Sequence, residues 1–184
     1  QVLSELVNYK TNNNLCIITT ERSLQPHLPP KEFLINNCIN LKEGSRIDFE
    51  TLANKLTVLG YKRINTIDSE GTWARRGDII DIYPVSNELP IRLEFFGEEL
   101  EKIKEFDPIT QRSLENIKQI CITPTGINPL ITNQINNLKL EEKLKLLTSE
   151  EIEDISNGLI IEGIKRLMGL AWHNLSSILD YINK

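Results

Sequence analysis

The stretch that decides the fold is Gly71-Thr-Trp-Ala-Arg-Arg-Gly-Asp-Ile-Ile-Asp-Ile-Tyr-Pro84, followed by Ile91-Arg-Leu-Glu-Phe-Phe96. Short runs of apolar and β-branched residues bounded by Gly, Pro and Asp are typical of strands. No helical pattern interrupts these runs, so neighbouring strands are expected to pair antiparallel. The stretch therefore predicts a meander of short strands.

The same pattern extends to both sides of this stretch. Gly77-Asp78 and Gly97-Glu98 supply hairpin-type turns. The strands are expected near residues 61–67, 72–76, 79–83, 90–96, 100–106 and 116–123. Asp48 is expected to cap a helix that runs to Leu59, because a short carboxylate can accept from the first free backbone N–H groups. The middle of the chain is thus an α+β unit built on an antiparallel sheet.

Side-chain alternation along residues 91–96 separates two faces of the sheet. Ile91, Leu93 and Phe95 form the core set. The outward row consists of the three that remain: Arg92, Glu94 and Phe96. Arg76 ends a preceding strand and could join this row laterally. A Phe beside Arg and Glu on a solvated face fits a protein-binding hot spot, in which aromatic and Arg anchors dominate. Ordinary cross-strand Arg–Glu contacts, worth ~0.2–1 kcal/mol, are the alternative reading.

The formal net charge of −5 argues against a nucleic-acid-binding domain, which usually carries a basic footprint.

Cys16, Cys38 and Cys121 lie far apart without a CxxC pair or a nearby His pair, so no zinc spacing is present. Scattered, odd-numbered cysteines suit buried thiols in a cytoplasmic protein. No signal peptide is visible, and no apolar run approaches the ~18 residues that a membrane span needs.

Three segments differ in pattern. Residues 1–41 hold a helix end and the apolar run Leu15–Ile18, which is typical of a strand covered on both faces in an α/β domain. Residues 42–124 hold the α+β unit. Residues 125–184 switch to helical spacing, with a helix start expected at Thr148. Because the chain opens on Gln1 in an apparent helix, we expect it to be part of a longer protein.

Catalytic patterns were sought and not found. The sequence has neither a GxxxxGK[ST] phosphate loop nor a GxGxxG or GxSxG motif. His27 and His173 stand without a placed carboxylate or nucleophile, so structural or surface roles are expected for both. The acidic clusters at residues 98–101 and 150–153 are expected to be a solvated hairpin tip and a charged first helical turn. The chain is therefore not expected to be an enzyme, to bind ATP or to hold a metal.

Several segments in order and at matching distances resemble the UvrB-like domain of bacterial transcription-repair coupling factors (Mfd). They are Gly60-Tyr-Lys-Arg63, residues 71–84, residues 91–103 and Phe106-Asp-Pro-Ile-Thr-Gln-Arg-Ser113. The strong resemblance covers residues 42–124. Residues 1–41 resemble the end of the preceding α/β domain (domain 1a), and residues 125–184 the helical return into it (domain 1b). The resemblance implies that the 42–124 module is inserted between remnants of that α/β domain.

This resemblance also implies a function. In the family, the module recruits UvrA to stalled RNA polymerase during transcription-coupled nucleotide excision repair. The surface that faces UvrA uses two arginines and a phenylalanine, which align with Arg76, Arg92 and Phe96, and the carboxylate of Glu94 lies beside them. RNA polymerase, DNA, ATP and Mg would be bound only by domains that lie outside this chain. The alternatives are a UvrB fragment, or a nucleic-acid-binding platform in which Arg75, Arg76 and Arg92 meet phosphates.

Overall fold

The sheet-bearing half of the protein begins and ends with two strands that are far apart in the sequence. The computed structural model describes residues 2–8 and 16–182. It divides into a sheet unit, Asn37–Thr125, and a helical unit formed by residues 2–36 and 126–182 so far as they are described. The first strand of the sheet unit, Ile39–Lys42, pairs antiparallel with its last, Gln119–Ile122. The architecture is α+β.

The elements are named in chain order. The α-helices are α1 (Val2–Asn8), α2 (Lys31–Asn36), α3 (Phe49–Val58), α4 (Ile127–Asn136), α5 (Leu140–Lys143), α6 (Ser149–Ser156), α7 (Met168–Ala171) and α8 (Ile178–Ile182). The strands are β1 (Ile39–Lys42), β2 (Lys62–Arg63), β3 (Thr72–Arg76), β4 (Ile79–Tyr83), β5 (Ile91–Phe96), β6 (Glu99–Phe106), β7 (Ser113–Ile117) and β8 (Gln119–Ile122). Short 3₁₀ turns occupy Glu21–Leu24 and Ile164–Leu167.

The main sheet has the strand order β2-β3-β4-β5-β6-β7. Its strands from β3 to β7 pair antiparallel with their neighbours, as predicted. Gly77 and Gly97 lie in the hairpin turns, each with a φ of 61°. That left-handed conformation is accessible to glycine without steric cost, which confirms both predicted turns.

Two strand predictions were wrong. β2 pairs parallel with β3, because residues 64–71 return the chain to the edge of the sheet at which β2 began, so that both strands run in the same direction. The strand expected over 61–67 accordingly shrinks to two residues. The strand expected over 116–123 breaks at Lys118 into β7 and β8, which belong to different sheets. Periodicity could not show this break, because both halves carry the same kind of residues.

The helix α3 begins as the sequence predicts. The Asp48 carboxylate accepts a hydrogen bond from the Thr51 backbone N–H at 2.9 Å, and the apolar stripe of α3 ends in the core with Leu52 and Leu56 fully buried. Phe49, at the first turn, lies 5.0 Å from Phe95 between ring centroids. This contact joins α3 to the core face of β5.

In the helical unit, α4 contributes a fully buried stripe and contacts α6 and α7. The predicted helix start at Thr148 is confirmed, since the Thr148 hydroxyl accepts from the Glu151 N–H at 3.2 Å and the Glu151 carboxylate accepts from the Thr148 N–H at 2.9 Å. The two ends of this unit also meet. Leu28 pairs with Ser176 in an antiparallel bridge, and the Tyr181 hydroxyl donates to the Pro29 carbonyl at 2.8 Å.

The described part of the apolar run, residues 16–18, is not a buried strand. Leu15 lies outside the described residues, and Cys16–Thr20 carries no regular structure. Cys16 is exposed and Ile18 is 95% exposed. A strand of this kind is stable only between other strands, and none of the described residues pairs with it. The α/β reading of residues 1–41 therefore has no support from this segment.

The two faces of β5 can be separated by mutation. Leu93 is completely buried, whereas Phe96 is 77% exposed. Leu93→Ala should lower the free energy of unfolding by about 2–5 kcal/mol, because it leaves a cavity in the core. Phe96→Ala should change it by less than about 0.5 kcal/mol, as is usual at the surface. Equal losses in urea melts of the two variants would show that the faces are assigned wrongly.

Acid should weaken the sheet unit through two carboxylates. Hydrogen bonds from Thr51 lower the pKa of Asp48 below its ordinary value, and those from the Thr110 and Ile109 N–H groups do the same for Asp107. A depressed folded-state pKa gives stability that is present at neutral pH and is lost as the pH falls through about 4 and below. The urea midpoint should therefore drop between pH 6 and pH 3.

The matched control replaces both residues by asparagine. Asp48→Asn/Asp107→Asn keeps an oxygen that can accept the same backbone hydrogen bonds but cannot titrate. Its urea midpoint should fall less than that of the parent protein over the same pH range. An identical fall in both proteins would place the acid sensitivity elsewhere.

Candidate protein-binding surface

A row of cross-strand neighbours crosses the outer face of the main sheet. Arg76 on β3 is the register partner of Ile79 on β4, which is the partner of Glu94 on β5, which in turn is the partner of Lys102 on β6. Residues directly opposite one another share a face. The structure thus brings two of the predicted site residues, Arg76 and Glu94, onto one face with Ile79 between them.

Arg76 presents an exposed guanidinium at the edge of this row. Its Nη2 contacts the Thr66 hydroxyl at 3.3 Å and the Asn65 carbonyl at 3.5 Å, both in the loop between β2 and β3. These are long, neutral contacts that a stronger carboxylate partner could replace. The prediction that Arg76 joins the outward row laterally is consistent with this placement.

Phe96 lies at the end of β5 on the side opposite the buried Phe95. A bulge shifts the β5–β6 register between Glu94 and Phe95, but the alternation of buried and exposed residues continues through it. The Phe96 ring is 77% exposed. An aromatic ring so exposed on a regular strand has no role in holding this fold together.

Glu94 is bound to a lysine and not to an arginine. The Lys104 ammonium donates to both Glu94 carboxylate oxygens, at 2.7 and 2.9 Å. Both side chains are about a quarter exposed. Because Lys104 is the register partner of Arg92, this ion pair runs diagonally across β5 and β6.

Arg92 is engaged within the sheet unit itself. Its Nε and Nη2 donate to the two Asp81 carboxylate oxygens at 2.8 and 2.9 Å. The side chains of Arg92 and Asp81 are only 15% and 3% exposed. Its hydrogen bonds to Asp81 raise the pKa of Arg92 further above its ordinary value, so the guanidinium stays charged. Arg92 is therefore outward in the sense of alternation but is not freely available to a partner.

A second core lies on the outer face around Arg92. Its guanidinium stacks over the Phe106 ring at 4.7 Å, and Phe106 is fully buried with Ile67 and Ala74. Residues 107–112 fold over this cluster. Gln111 holds this segment in place. Its side-chain amide donates to the Ile67 carbonyl at 3.1 Å, and its backbone carbonyl accepts from Arg92 Nη1 at 3.3 Å.

Sequence reasoning missed Asp81 and Phe106. Ile80 and Ile82 are core residues, so alternation alone could have placed Asp81 on the outer face. Its partner could not have been found in that way, because the loop from residue 84 to 90 leaves the β4–β5 register open. The outer face is thus part closed, around Asp81, Arg92 and Phe106, and part open, around Arg76, Glu94 and Phe96.

The arginines proposed for a nucleic-acid platform do not form a patch. Arg75 lies on the other face of β3, where its guanidinium stacks over the Phe49 ring at 3.8 Å and its Nε donates to the Gly77 carbonyl at 3.0 Å. Arg92 is bound to Asp81. Only Arg76 of the three presents an exposed guanidinium on the outer face. This separation weighs against phosphate binding by the three as a group.

The remaining functional possibilities are a catalytic histidine, a metal ion and a membrane span. His27 contacts the Gln25 carbonyl through Nδ1 at 2.5 Å, in an exposed loop. Within residues 2–8 and 16–182, no three His, Cys, Asp or Glu side chains cluster in a way that could hold a metal ion. Over the same residues, no helix has the length and apolar character required to cross a membrane.

The sheet unit is thus an α+β domain whose outer face is partly covered by its own chain and partly open. Residues 39–126 match the family model of the UvrB interaction domain.

The similarity to known proteins extends beyond that domain. The transcription-repair-coupling factor of Staphylococcus aureus (strain MRSA252) is 34% identical over 179 residues, which cover 88% of this chain and 15% of the relative. That of Haemophilus influenzae (strain Rd) is 28% identical over 185 residues, covering 98% of this chain and 16% of the relative. The chain thus spans about one sixth of the length of these relatives.

The Asp81–Arg92 pair generates a stability prediction. Arg92→Ala should lower the free energy of unfolding by about 3–5 kcal/mol, because it leaves a buried carboxylate without its partner. Arg76→Ala should cost less than about 0.5 kcal/mol, since its guanidinium is exposed. The double variant Asp81→Ala/Arg92→Ala should recover part of the loss, which urea melts of the four proteins will measure.

If Arg92→Ala melted like Arg76→Ala, the ion pair would contribute nothing measurable. The division of the outer face into closed and open parts would then have to be abandoned.

Proposed function

We propose that this chain is the UvrA-docking module of a transcription-repair coupling factor, and that the open part of the outer face is the docking surface. The observation that carries the proposal is Phe96, an aromatic ring 77% exposed on a regular strand in a domain of the UvrB interaction family. Exposed aromatic anchors on rigid elements are characteristic of binding hot spots.

The residues around Phe96 supply the charged part of such a site. Arg76 and Glu94 share one cross-strand row, and both keep part of their side chains in solvent. Their current partners, the Thr66 hydroxyl and the Lys104 ammonium, lie at the surface. When a partner covers Phe96 and excludes water, charge-assisted bonds to Arg76 and Glu94 become stronger, because the local dielectric falls.

Arg92 takes a different role in this proposal. With its guanidinium bound to Asp81 and stacked on Phe106, it holds the closed part of the face in shape. Its influence on docking is therefore mainly that of a positioning residue. The part of its side chain that remains in solvent lies two residues from Glu94 and four from Phe96 along β5 and would extend the docking surface.

The proposal extends to the organisation of the longer protein. Residues 42–124 would be the docking domain, with 1–41 and 125–184 as flanking pieces of a first domain. Recruitment of UvrA to stalled RNA polymerase, DNA translocation with ATP and Mg, and a cytoplasmic location are proposed for the whole protein. No catalytic step is assigned to this chain.

The alternative of a UvrB fragment is weaker. The relatives cited above are transcription-repair-coupling factors, with 88–98% of this chain matched. A nucleic-acid platform is also less favoured, because Arg75 lies on the other face and Arg92 is engaged with Asp81.

Calorimetry with purified UvrA tests the proposal. Phe96→Ala should abolish measurable binding. Arg76→Ala should weaken it by about 30-fold or more, since truncation of a buried charged contact typically costs about 2–5 kcal/mol. Glu94→Gln removes the charge with little change of shape and should weaken binding to a smaller extent. Circular dichroism should show that these three variants stay folded.

Two control variants match these substitutions. Ile109→Ala removes another large, 90% exposed apolar side chain of the sheet unit, and Lys139→Ala removes a charge from the helical unit. Both should bind like the parent chain. Parent-like affinity in Phe96→Ala and Arg76→Ala would mean that the open part of the face is ordinary surface.

A further inference from the structure

Two cysteines meet where the sheet unit begins and ends. Asn40 on β1 is the register partner of Cys121 on β8, and Ile39 is the partner of Ile122. Cys38 directly precedes Ile39 and therefore lies diagonally across the ladder from Cys121. Ile39 and Ile122 are buried on one face, so alternation puts both thiols on the other. Only the pairing of the first and last strands creates this juxtaposition.

The two thiols interact with each other. Hydrogen bonding with the Cys121 side chain is the largest cause that raises the pKa of the Cys38 thiol, and both cysteines add to the effect of burial in raising the pKa of Tyr61. Tyr61 is itself fixed, since its hydroxyl donates to the Thr123 carbonyl on the exit from β8 at 2.9 Å. Each cysteine is partly accessible to solvent. A small oxidant can therefore reach a pair of sulfur atoms that the fold already holds together.

We propose that Cys38 and Cys121 are a site of reversible oxidative modification, at which a hydroperoxide closes an intramolecular disulfide between β1 and β8. The two S–H bonds are lost and one S–S bond forms. The peroxide O–O bond breaks, and the two electrons and two protons released by the thiols reduce hydrogen peroxide to two molecules of water. A dithiol reductant reverses the step by thiol–disulfide exchange.

The geometry suits a disulfide after a small adjustment. Diagonal neighbours in a ladder have Cα atoms about 7–8 Å apart, whereas a disulfide needs at most about 7 Å. Cys38 lies in a bend just outside β1, so it can move toward Cys121 while the β1–β8 pairs from Ile39 to Lys42 keep their register. Hydrogen bonding to Cys121 and burial raise the pKa of Cys38. That thiol keeps its proton at neutral pH, which makes the reaction slower than at an activated thiolate.

The bond would act on the whole sheet unit. Because it joins the first strand to the last, it closes a loop that contains the entire six-stranded sheet and α3. A cross-link over so long a loop restricts the unfolded chain strongly and stabilises the folded form. Cys16, which is exposed and lies in the other unit, has no part in this link.

The test uses the whole chain carrying Cys16→Ser, treated with hydrogen peroxide. Mass spectrometry should show the loss of two hydrogen atoms, and a proteolytic digest should yield one peptide pair joined through Cys38 and Cys121. The thermal midpoint of the sheet unit should rise by about 5–15 °C and return to its starting value with dithiothreitol.

Two further variants complete the experiment. Cys38→Ser and Cys121→Ser, each in the Cys16→Ser background, should show neither the cross-link nor the rise in midpoint. Addition of one or more oxygen atoms to the cysteines without a cross-link would overturn the proposal. So would a disulfide found only between two molecules, or a cross-linked chain whose sheet unit melts no higher than the reduced one.

Discussion

The constraint on which the outer face depends is the pairing of a buried carboxylate. Asp81 has 3% of its side chain exposed, and a carboxyl group so far from water needs a hydrogen-bonded partner. Arg92 meets that need with two hydrogen bonds. It thereby fixes β4 against β5, while its remaining donor atoms and its flat face hold residues 111–113 and the Phe106 ring. That one guanidinium thus contacts β4, the Phe106 ring and residues 111–113 on the outer face.

The consequence is a sheet whose outer face is divided. Near Phe106 the face is covered by the chain itself, through residues 64–71 and 107–112, and behaves as a small second core. Toward the Gly77 and Gly97 turns it is open, and Phe96 is exposed there beside Glu94 and Arg76. A partner would therefore meet side chains presented by paired strands, whose geometry is set by the sheet and not by mobile loops.

The sequence predicted local features well and long-range ones poorly. The Asp48 cap, the Thr148 helix start and the alternation in β5 depend on neighbours within a few residues, and each was confirmed. The parallel pairing of β2, the break at Lys118 and the exposure of Ile18 depend on which segments meet in space. The candidate site shows the same division: alternation placed Phe96 outward correctly, but it could not reveal that Arg92 is held by Asp81.

The sequence by itself determined the alternation of faces, the helix caps and the glycine turns, because these arise from backbone geometry and contacts close along the chain. It also carried the resemblance to the UvrB interaction domain. The tertiary structure alone decided which charges are paired and which are open to a partner, and it brought Cys38 to Cys121. Such pairings depend on the register of strands joined by long loops, and no local pattern of residues specifies that register.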